Sequence, residues 1–210
     1  MYRYSKMINL MLKAGSPLFL FVAAFISVNS FSQTYKFKSY GVQEGICDRY
    51  VYTINQDKNG FIWAGTGEGL CRFDGFKFAS EDDSLLNVII NTSLKDSNGN
   101  LWFGTSKGHV VRYNGNEMNH VEIPHASGST INSFVEFEDK IIAVSQNNGL
   151  ILIDENLDVD TISGPFENLL LSALAITEER TVLIGTLEGL TLGKLTPDKT
   201  DIDIIGEIDE

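Results

Sequence analysis

The chain has 210 residues, and its 28 acidic residues against 16 lysines and arginines give it a net charge of −12. A composition that is 43% hydrophobic and 21% charged is typical of a folded protein and excludes disorder over most of the length. So acidic a surface repels phosphate, which argues against nucleic acid and anionic lipid as partners. Nineteen glycines against four prolines favour a β-rich fold with many tight turns.

The first 32 residues have the pattern of a signal peptide. Lys6 and Lys13 precede an apolar run over residues 17–31, which is shorter than the roughly 20 residues that a membrane-spanning helix needs. No cysteine lies near the end of this run, so a lipoprotein anchor is not expected. An uncleaved anchor helix is the alternative.

The mature chain is predicted to begin at Gln33. The small residues Ser30 and Ser32 precede it at the two positions that a signal peptidase reads. We therefore expect a signal helix over residues 1–32 and an exported domain over residues 33–210, on the periplasmic or extracellular side.

Residues 34–39 (TYKFKS) predict an isolated strand. They resemble residues 76–80 (FKFAS), which end a repeat unit described below. A strand of this type with no unit before it is expected to complete the last unit of a closed ring, since an open ring leaves strand edges unpaired.

The two cysteines are Cys47 and Cys71, and neither has a histidine partner at the spacing of a metal or catalytic site. An exported protein permits a bridge between them. Because Cys71 lies in an apolar strand pattern, we expect two free, half-buried thiols.

The chain contains an internal repeat of about 40 residues. Residues 57–66 (DKNGFIWAGT) recur as residues 96–105 (DSNGNLWFGT), and each copy later ends in Arg-aromatic-Asp/Asn-Gly. Weaker copies contain residues 141–145 and 182–186. One hydroxyl position recurs in all four copies, at Thr66, Thr105, Ser145 and Thr186.

Each copy predicts four short strands, which is the pattern of a β-propeller blade. Asn59-Gly60 and Asn98-Gly99 predict type I′ hairpins between the first two strands. The sequence thus predicts an all-β, incomplete propeller of about four blades, with a closed four-bladed propeller as the alternative. The predicted repeat units lie near residues 41–80, 81–122, 123–162 and 163–210.

The pattern over residues 51–75 resembles the two-component regulator propeller repeat, through its Asp-x-x-Gly-Phe-Ile-Trp-x-Gly-Thr run and its Arg-Phe-Asp-Gly ending. The second copy is similar, with His109 in place of a leucine and Asn114 in place of an aspartate. The third and fourth copies lack the tryptophan.

The resemblance implies a ligand-sensing propeller at the head of a hybrid histidine kinase. The parent chain would lie in the inner membrane and contact it outside this segment, with a dimer as a possible state. A small molecule or a glycan is the implied ligand. The alternatives are a secreted propeller for adhesion or protein interaction without a kinase, and a propeller enzyme such as a lyase. The enzyme is disfavoured because the sequence has no clustered His/Glu/Arg constellation.

No catalytic residue, metal or cofactor is predicted. The Asp-x-Asn-Gly segments at residues 57–60 and 96–99 lack the further acidic ligands of a calcium-binding loop, and they predict turns. His120, Glu122 and His125 are expected on the surface and not as zinc ligands. Trp63 and Trp102 occupy one repeat position, which favours packing between blades over a sugar-stacking platform.

Ligand contacts are expected where the copies differ. His109 is a weak candidate, because Leu70, Leu150 and Leu190 were aligned with it in the other copies; a tolerated substitution is the alternative interpretation. The unmatched loops are further candidates, and they cover residues 80–87, 117–133 and 156–168.

Overall fold

The computed structural model describes residues 36–124, 128–162, 169–177, 179–195 and 202–208, the last range and Leu195 by backbone alone. Residues 1–39 and 40–210 are two compact units, and the second contains every described strand. The predicted signal helix and its cleavage site lie outside the described residues. Within the described ranges, no helix has both the length and the apolar character that crossing a membrane requires.

The described strands form four sheets, or blades, of four strands each. Blade 1 contains β1 (Val51–Gln56), β2 (Ile62–Thr66), β3 (Gly69–Phe73) and β4 (Phe78–Ser80). Blade 2 contains β5 (Ile90–Lys95), β6 (Leu101–Thr105), β7 (Val110–Tyr113) and β8 (Met118–Val121). Blade 3 contains β9 (Ile131–Phe137), β10 (Lys140–Ser145), β11 (Gly149–Ile153) and β12 (Val159–Ile162). Blade 4 contains β13 (Leu171–Ile176), β14 (Thr181–Thr186), β15 (Leu190–Leu195) and β16 (Ile202–Ile208).

Within each blade the strands are antiparallel and follow chain order. The first strand of each blade lies beside the first strand of the next, so β1, β5, β9 and β13 are the inner strands of successive blades. This arrangement confirms the predicted all-β, incomplete propeller of four-stranded blades.

An apolar core fills each of the three interfaces between consecutive blades. Between blades 1 and 2, Trp63 and Leu70 from one sheet meet Phe103 and Val111 from the other. Because neighbouring residues of a strand point to opposite faces, each middle blade supplies side chains to the cores on both of its sides.

The hairpin between β1 and β2 is not the predicted type I′ turn. The dihedral φ is positive at Gly60 but not at Asn59. The Gly60 amide donates to the carbonyl of Asp57, and the Asp57 carboxylate accepts from the amides of Asn59 and Phe61. This is a type I turn followed by a left-handed glycine, and the aspartate side chain stabilises it.

The expectation of free thiols is wrong, because Cys47 and Cys71 form a disulfide. Cys71 lies on the face of β3 that points away from blade 2, since its neighbour Leu70 is part of the core between blades 1 and 2. The segment before β1 folds back over that face, where the Tyr40 ring packs on Phe73 and Phe78. This return places the two cysteine Cα atoms 5.8 Å apart, within bonding range.

The strand predicted over residues 34–39 does not form in its described part, residues 36–39. Residues 34 and 35 lie outside the described residues. A strand of this outer type would pair with the third strand of a blade, yet β3, β7, β11 and β15 each already pair with the outer strand of their own blade.

Candidate ligand clefts between the first two blades

The two tryptophans lie in the interfaces between blades, as predicted. Trp63 is 1% exposed and Trp102 is 2% exposed. Each indole Nε1 donates to a buried carboxylate, from Trp63 to Asp57 at 2.8 Å and from Trp102 to Asp96 at 2.9 Å. The stacking platform for sugars is thereby excluded at these two positions.

Sequence reasoning missed the second role of Asp57 and Asp96. Both were interpreted as turn residues, and both also accept the hydrogen bond from a tryptophan six positions later. The repeated Asp-x₅-Trp spacing was the available signal. A buried carboxylate needs hydrogen-bond partners. The Asp–Trp hydrogen bonds therefore attach the hairpin between the first two strands of blades 1 and 2 to the core between blades.

The alignment of His109 with the repeat leucines is wrong. The strand register pairs Gly65 with Leu70 in blade 1 and Gly104 with Val110 in blade 2. Val110 therefore holds the buried leucine position, and His109 is the extra residue of a longer turn. The His109 side chain is exposed, while its carbonyl accepts from the Thr105 amide at 3.0 Å.

His109 lines a cleft of about 350 Å³ at the junction of blades 1 and 2. We name this cleft the histidine cleft. The side chains around it include Ser84, His109, His120, Glu122 and Ile123. The interpretation of His109 as a ligand contact remains a prediction.

The His120 imidazole, on β8 of blade 2, contacts the Asp82 carboxylate in the segment that follows blade 1. Its Nε2 lies 3.0 Å from Asp82 Oδ2, and the His120 side chain is 48% exposed while that of Asp82 is 11% exposed. Asp82 also accepts hydrogen bonds from the amide and the hydroxyl of Ser84, and it thereby caps the start of the short 3₁₀ helix Asp83–Leu85.

The surface position predicted for His120 and Glu122 agrees with their exposure. His125 lies outside the described residues. Across the described ranges, no three His, Cys, Asp or Glu side chains are grouped so that they could hold a metal ion.

A second cleft of about 550 Å³ lies beside the histidine cleft, and His120 borders both. We name it the acidic cleft. Blade 1 and its exit segment supply Trp63, Arg72 and residues 81–83 to its lining, and blade 2 supplies Tyr113, residues 116–118 and His120.

Arg72 and Tyr113 form the inner wall of the acidic cleft. The Arg72 Nε donates to Glu81 Oε1 at 2.8 Å, and its guanidinium lies 4.4 Å from the centre of the Phe61 ring. The Tyr113 ring centre is 4.6 Å from that of Trp63. Burial raises the pKa of Tyr113, and the nearby Asp57 carboxylate raises it further.

Two of the three segments predicted as unmatched loops are partly strand, because residues 117–133 contain β8 and the start of β9 and residues 156–168 contain β12. Two of the three segments meet at these clefts. Residues 80–87 border them from blade 1, and the described part of residues 117–133 borders them from blade 2. The third loop, residues 156–168, follows β11 in blade 3, and its residues 163–168 lie outside the described ranges. The structure thus brings two of the candidate segments together, and the described part of the third, residues 156–162, belongs to blade 3.

Sequence comparison identifies the repeats and one signalling relative. The family model for the two component regulator propeller matches residues 45–68 and 84–107. Histidine kinase P4 of Formosa agariphila is 41% identical over 61 residues, which are 29% of this chain and 4% of the kinase.

Comparison of structures points to extracellular sensor domains. The extracellular domain of the putative hybrid two component system BT3049 from B. thetaiotaomicron has a TM-score of 0.61 and 28% identity, over 76% of this chain and 22% of its own. That of the putative one component system BT4673 from the same organism has a TM-score of 0.61 and 23% identity, over 76% and 23%.

A streptogramin B lyase has the same fold at 12% identity, with a TM-score of 0.61 over 76% of this chain and 55% of the lyase. This likeness concerns the fold alone. The chain spans less than a quarter of the two sensor domains and a small part of the kinase. Residues 45–68 and 84–107 therefore match the two component regulator propeller repeat, and the chain that carries them has the β-propeller fold.

Proposed function

We propose that this chain is part of the extracytoplasmic ligand-sensing propeller of a membrane-bound hybrid two-component sensor. The observation that carries the proposal is the match of two repeats to the regulator propeller family, together with 41% identity to a histidine kinase. The 28% identity to an extracellular hybrid-sensor domain supports the same assignment.

The disulfide supports a location outside the cytoplasm. Disulfides persist in oxidising compartments and are rare in the cytosol. The bond between Cys47 and Cys71 fits a periplasmic or extracellular domain that residues 1–32 direct to export.

The clefts between blades 1 and 2 are the proposed ligand sites. They combine open volume, polar side chains and two of the loops in which the repeats differ. A small molecule or a glycan unit could contact both blades there, and its binding would change how the blades pack. Downstream parts of the parent protein would read that change.

A reporter assay with the full-length protein tests this function. Cells carrying a reporter for the sensor's output are grown on a panel of glycans and small metabolites, and we expect at least one compound to change the output. His109→Ala should raise the concentration of the compound that gives a half-maximal response, because His109 lines the histidine cleft. The matched control is Lys107→Ala, an exposed residue of the same turn that is not part of either cleft lining.

Three outcomes would contradict the proposal. The full-length protein could give no response to any compound, it could respond equally after deletion of residues 40–208, or its output could depend on a ligand supplied only in the cytoplasm. An equal effect of His109→Ala and Lys107→Ala would remove the histidine cleft from the proposal.

A further inference from the structure

Beside its apolar core, the interface between blades 1 and 2 has a polar, open part, whereas the equivalent positions between blades 2 and 3 hold apolar side chains. The strand register makes Glu81 in blade 1 equivalent to Val121 in blade 2, because each lies opposite the buried Leu70 or Val110 position. Asp83 and Ile123 follow two residues later. Val121 and Ile123 pack into the core between blades 2 and 3 and also border the histidine cleft, whereas Glu81 and Asp83 line the acidic cleft.

The wall of the acidic cleft that blade 2 supplies also has a polar residue where the equivalent position of blade 3 is apolar. Met118 is equivalent to Val159, because they pair with Tyr113 and Ile153 at the same register position. Two residues earlier stand Asn116 in blade 2 and Leu157 in blade 3. Leu157 packs against the core between blades 2 and 3, and Asn116 lines the acidic cleft.

The repeat therefore provides an internal comparison for the acidic cleft. A propeller interface can be closed by apolar side chains at these positions, as it is between blades 2 and 3. Between blades 1 and 2 three of these four positions hold the polar side chains of Glu81, Asp83 and Asn116, and about 550 Å³ is open there, a volume in the range of small-ligand sites, roughly 300–1,000 Å³.

The charges in the acidic cleft favour a cation. Glu81, Asp82, Asp83 and Glu117 line the cleft together with Arg72 and His120. Arg72 is engaged by Glu81, and His120 by Asp82. Asp83 and Glu117 are exposed at the mouth. An anion would meet net repulsion here, whereas a cation would find two accessible carboxylates.

A bare metal ion does not fit this arrangement, since no three acidic or histidine side chains among the described residues are grouped for metal binding. An organic cation has an apolar part as well, and the cleft offers it the Met118 side chain and the Tyr113 ring. An alkyl chain can pack on these groups while its charged end reaches the carboxylates.

We propose that the acidic cleft binds an organic cation, namely an ammonium or guanidinium group on a short aliphatic chain, as in a polyamine or a basic peptide. Asp83 and Glu117 accept hydrogen bonds from the charged group, and Met118 and Tyr113 contact the chain. The proposal names a ligand class for one of the two clefts and rests on the proposed sensing function for its role in the cell.

Isothermal titration calorimetry on the full chain tests the binding with three probes. Spermidine and a Lys-Lys dipeptide amide carry the proposed group, and spermidine acetylated on its primary amines has the same chain with two charges removed. We expect one binding site, binding of at least one charged probe, and a loss of roughly tenfold or more in affinity on acetylation. The tighter of the two charged probes identifies the source.

Variants locate the site. Asp83→Asn combined with Glu117→Gln should weaken binding roughly tenfold or more, because both accessible acceptors lose their charge. The matched control is Asp158→Asn, since Asp158 precedes Val159 as Glu117 precedes Met118, and it lies on blade 3. Asp83→Ile combined with Asn116→Leu introduces two of the three apolar side chains of the filled interface and should abolish binding without loss of the folded state in circular dichroism.

The proposal is overturned if the charged probes do not bind, if acetylated spermidine binds as tightly as spermidine, or if Asp158→Asn weakens binding as much as the cleft variant. The last result would mean attraction to the general negative charge of the chain. These outcomes are separate from the reporter assay, because a cell can respond to another ligand when spermidine does not bind.

Discussion

Replacing Gly65 with alanine tests the packing of one blade against the next. Gly65 lies on β2, and a Cβ atom added there would come 2.8 Å from the carbonyl oxygen of Ile90 and 2.5 Å from Cγ2 of Thr53. Ile90 begins the inner strand of blade 2 and is fully buried, so its backbone cannot move without shifting that blade. Overpacking of this kind costs about 1–3 kcal/mol.

Gly185→Ala is the matched control for this substitution. Gly185 holds the same repeat position in blade 4, and its added Cβ would meet Ser172 Oγ at 3.1 Å and Ala173 Cβ at 3.4 Å. Neither glycine has a positive φ. Both substitutions reduce the entropy of the unfolded chain equally, so this effect cancels in the comparison.

Urea unfolding followed by tryptophan fluorescence gives the two free energies of unfolding. We expect Gly65→Ala to be less stable than Gly185→Ala by about 2 kcal/mol. Equal stabilities within about 0.5 kcal/mol would refute the close approach of blade 2 to β2.

Three further predictions concern the disulfide between Cys47 and Cys71, the turn residue His109 and the raised pKa of Tyr113. Replacing Cys47 and Cys71 by alanine should lower the free energy of unfolding by about 3 kcal/mol, because the disulfide spans 24 residues; a loss below about 1 kcal/mol in urea unfolding would show that the bond constrains little. His109→Leu should change stability by less than about 0.5 kcal/mol, because Val110 already holds the buried position, and a gain above about 1 kcal/mol would restore the original alignment. The raised pKa of Tyr113 means that the unfolded chain ionises at this tyrosine before the folded chain does, so the free energy of unfolding should fall as the pH rises above the ordinary tyrosine pKa of 10.0. Tyr113→Phe lacks this ionisation, so its free energy of unfolding should fall less over the same alkaline range. Plots of unfolding free energy against pH that run parallel for the two proteins would contradict the raised pKa.

The architecture was accessible from sequence because the signals repeat. The glycine and tryptophan positions recur at a spacing near 40 residues, and each copy contains the turn residues that separate the four strands of one blade. Trp63 and Trp102 could be placed in the interfaces because a side chain held in register across copies is usually architectural. The turn type was wrong because the Asp57 carboxylate, and not the Asn-Gly pair, determines the backbone path.

The disulfide and the clefts depend on contacts that no local pattern contains. Cys47 reaches Cys71 only because the segment before β1 folds back over β3, a tertiary event across 24 positions. The acidic cleft combines the segment after β4 with β8 of the next blade. Aligning the copies by strand register, with Val110 at the leucine position, would have revealed the polar substitutions at Glu81, Asp83 and Asn116.

Autophosphorylation of the full-length protein in oriented membrane vesicles tests whether the propeller senses a ligand outside the cytoplasm. Inverted vesicles receive labelled ATP outside, and the inducing compound from the reporter assay is enclosed inside, on the side that corresponds to the periplasm. The sensing account predicts that the enclosed compound changes the rate of autophosphorylation, and that His109→Ala weakens this change while Lys107→Ala does not. An effect seen only when the compound and ATP are on the same side of the membrane, or no effect from either side, would contradict it.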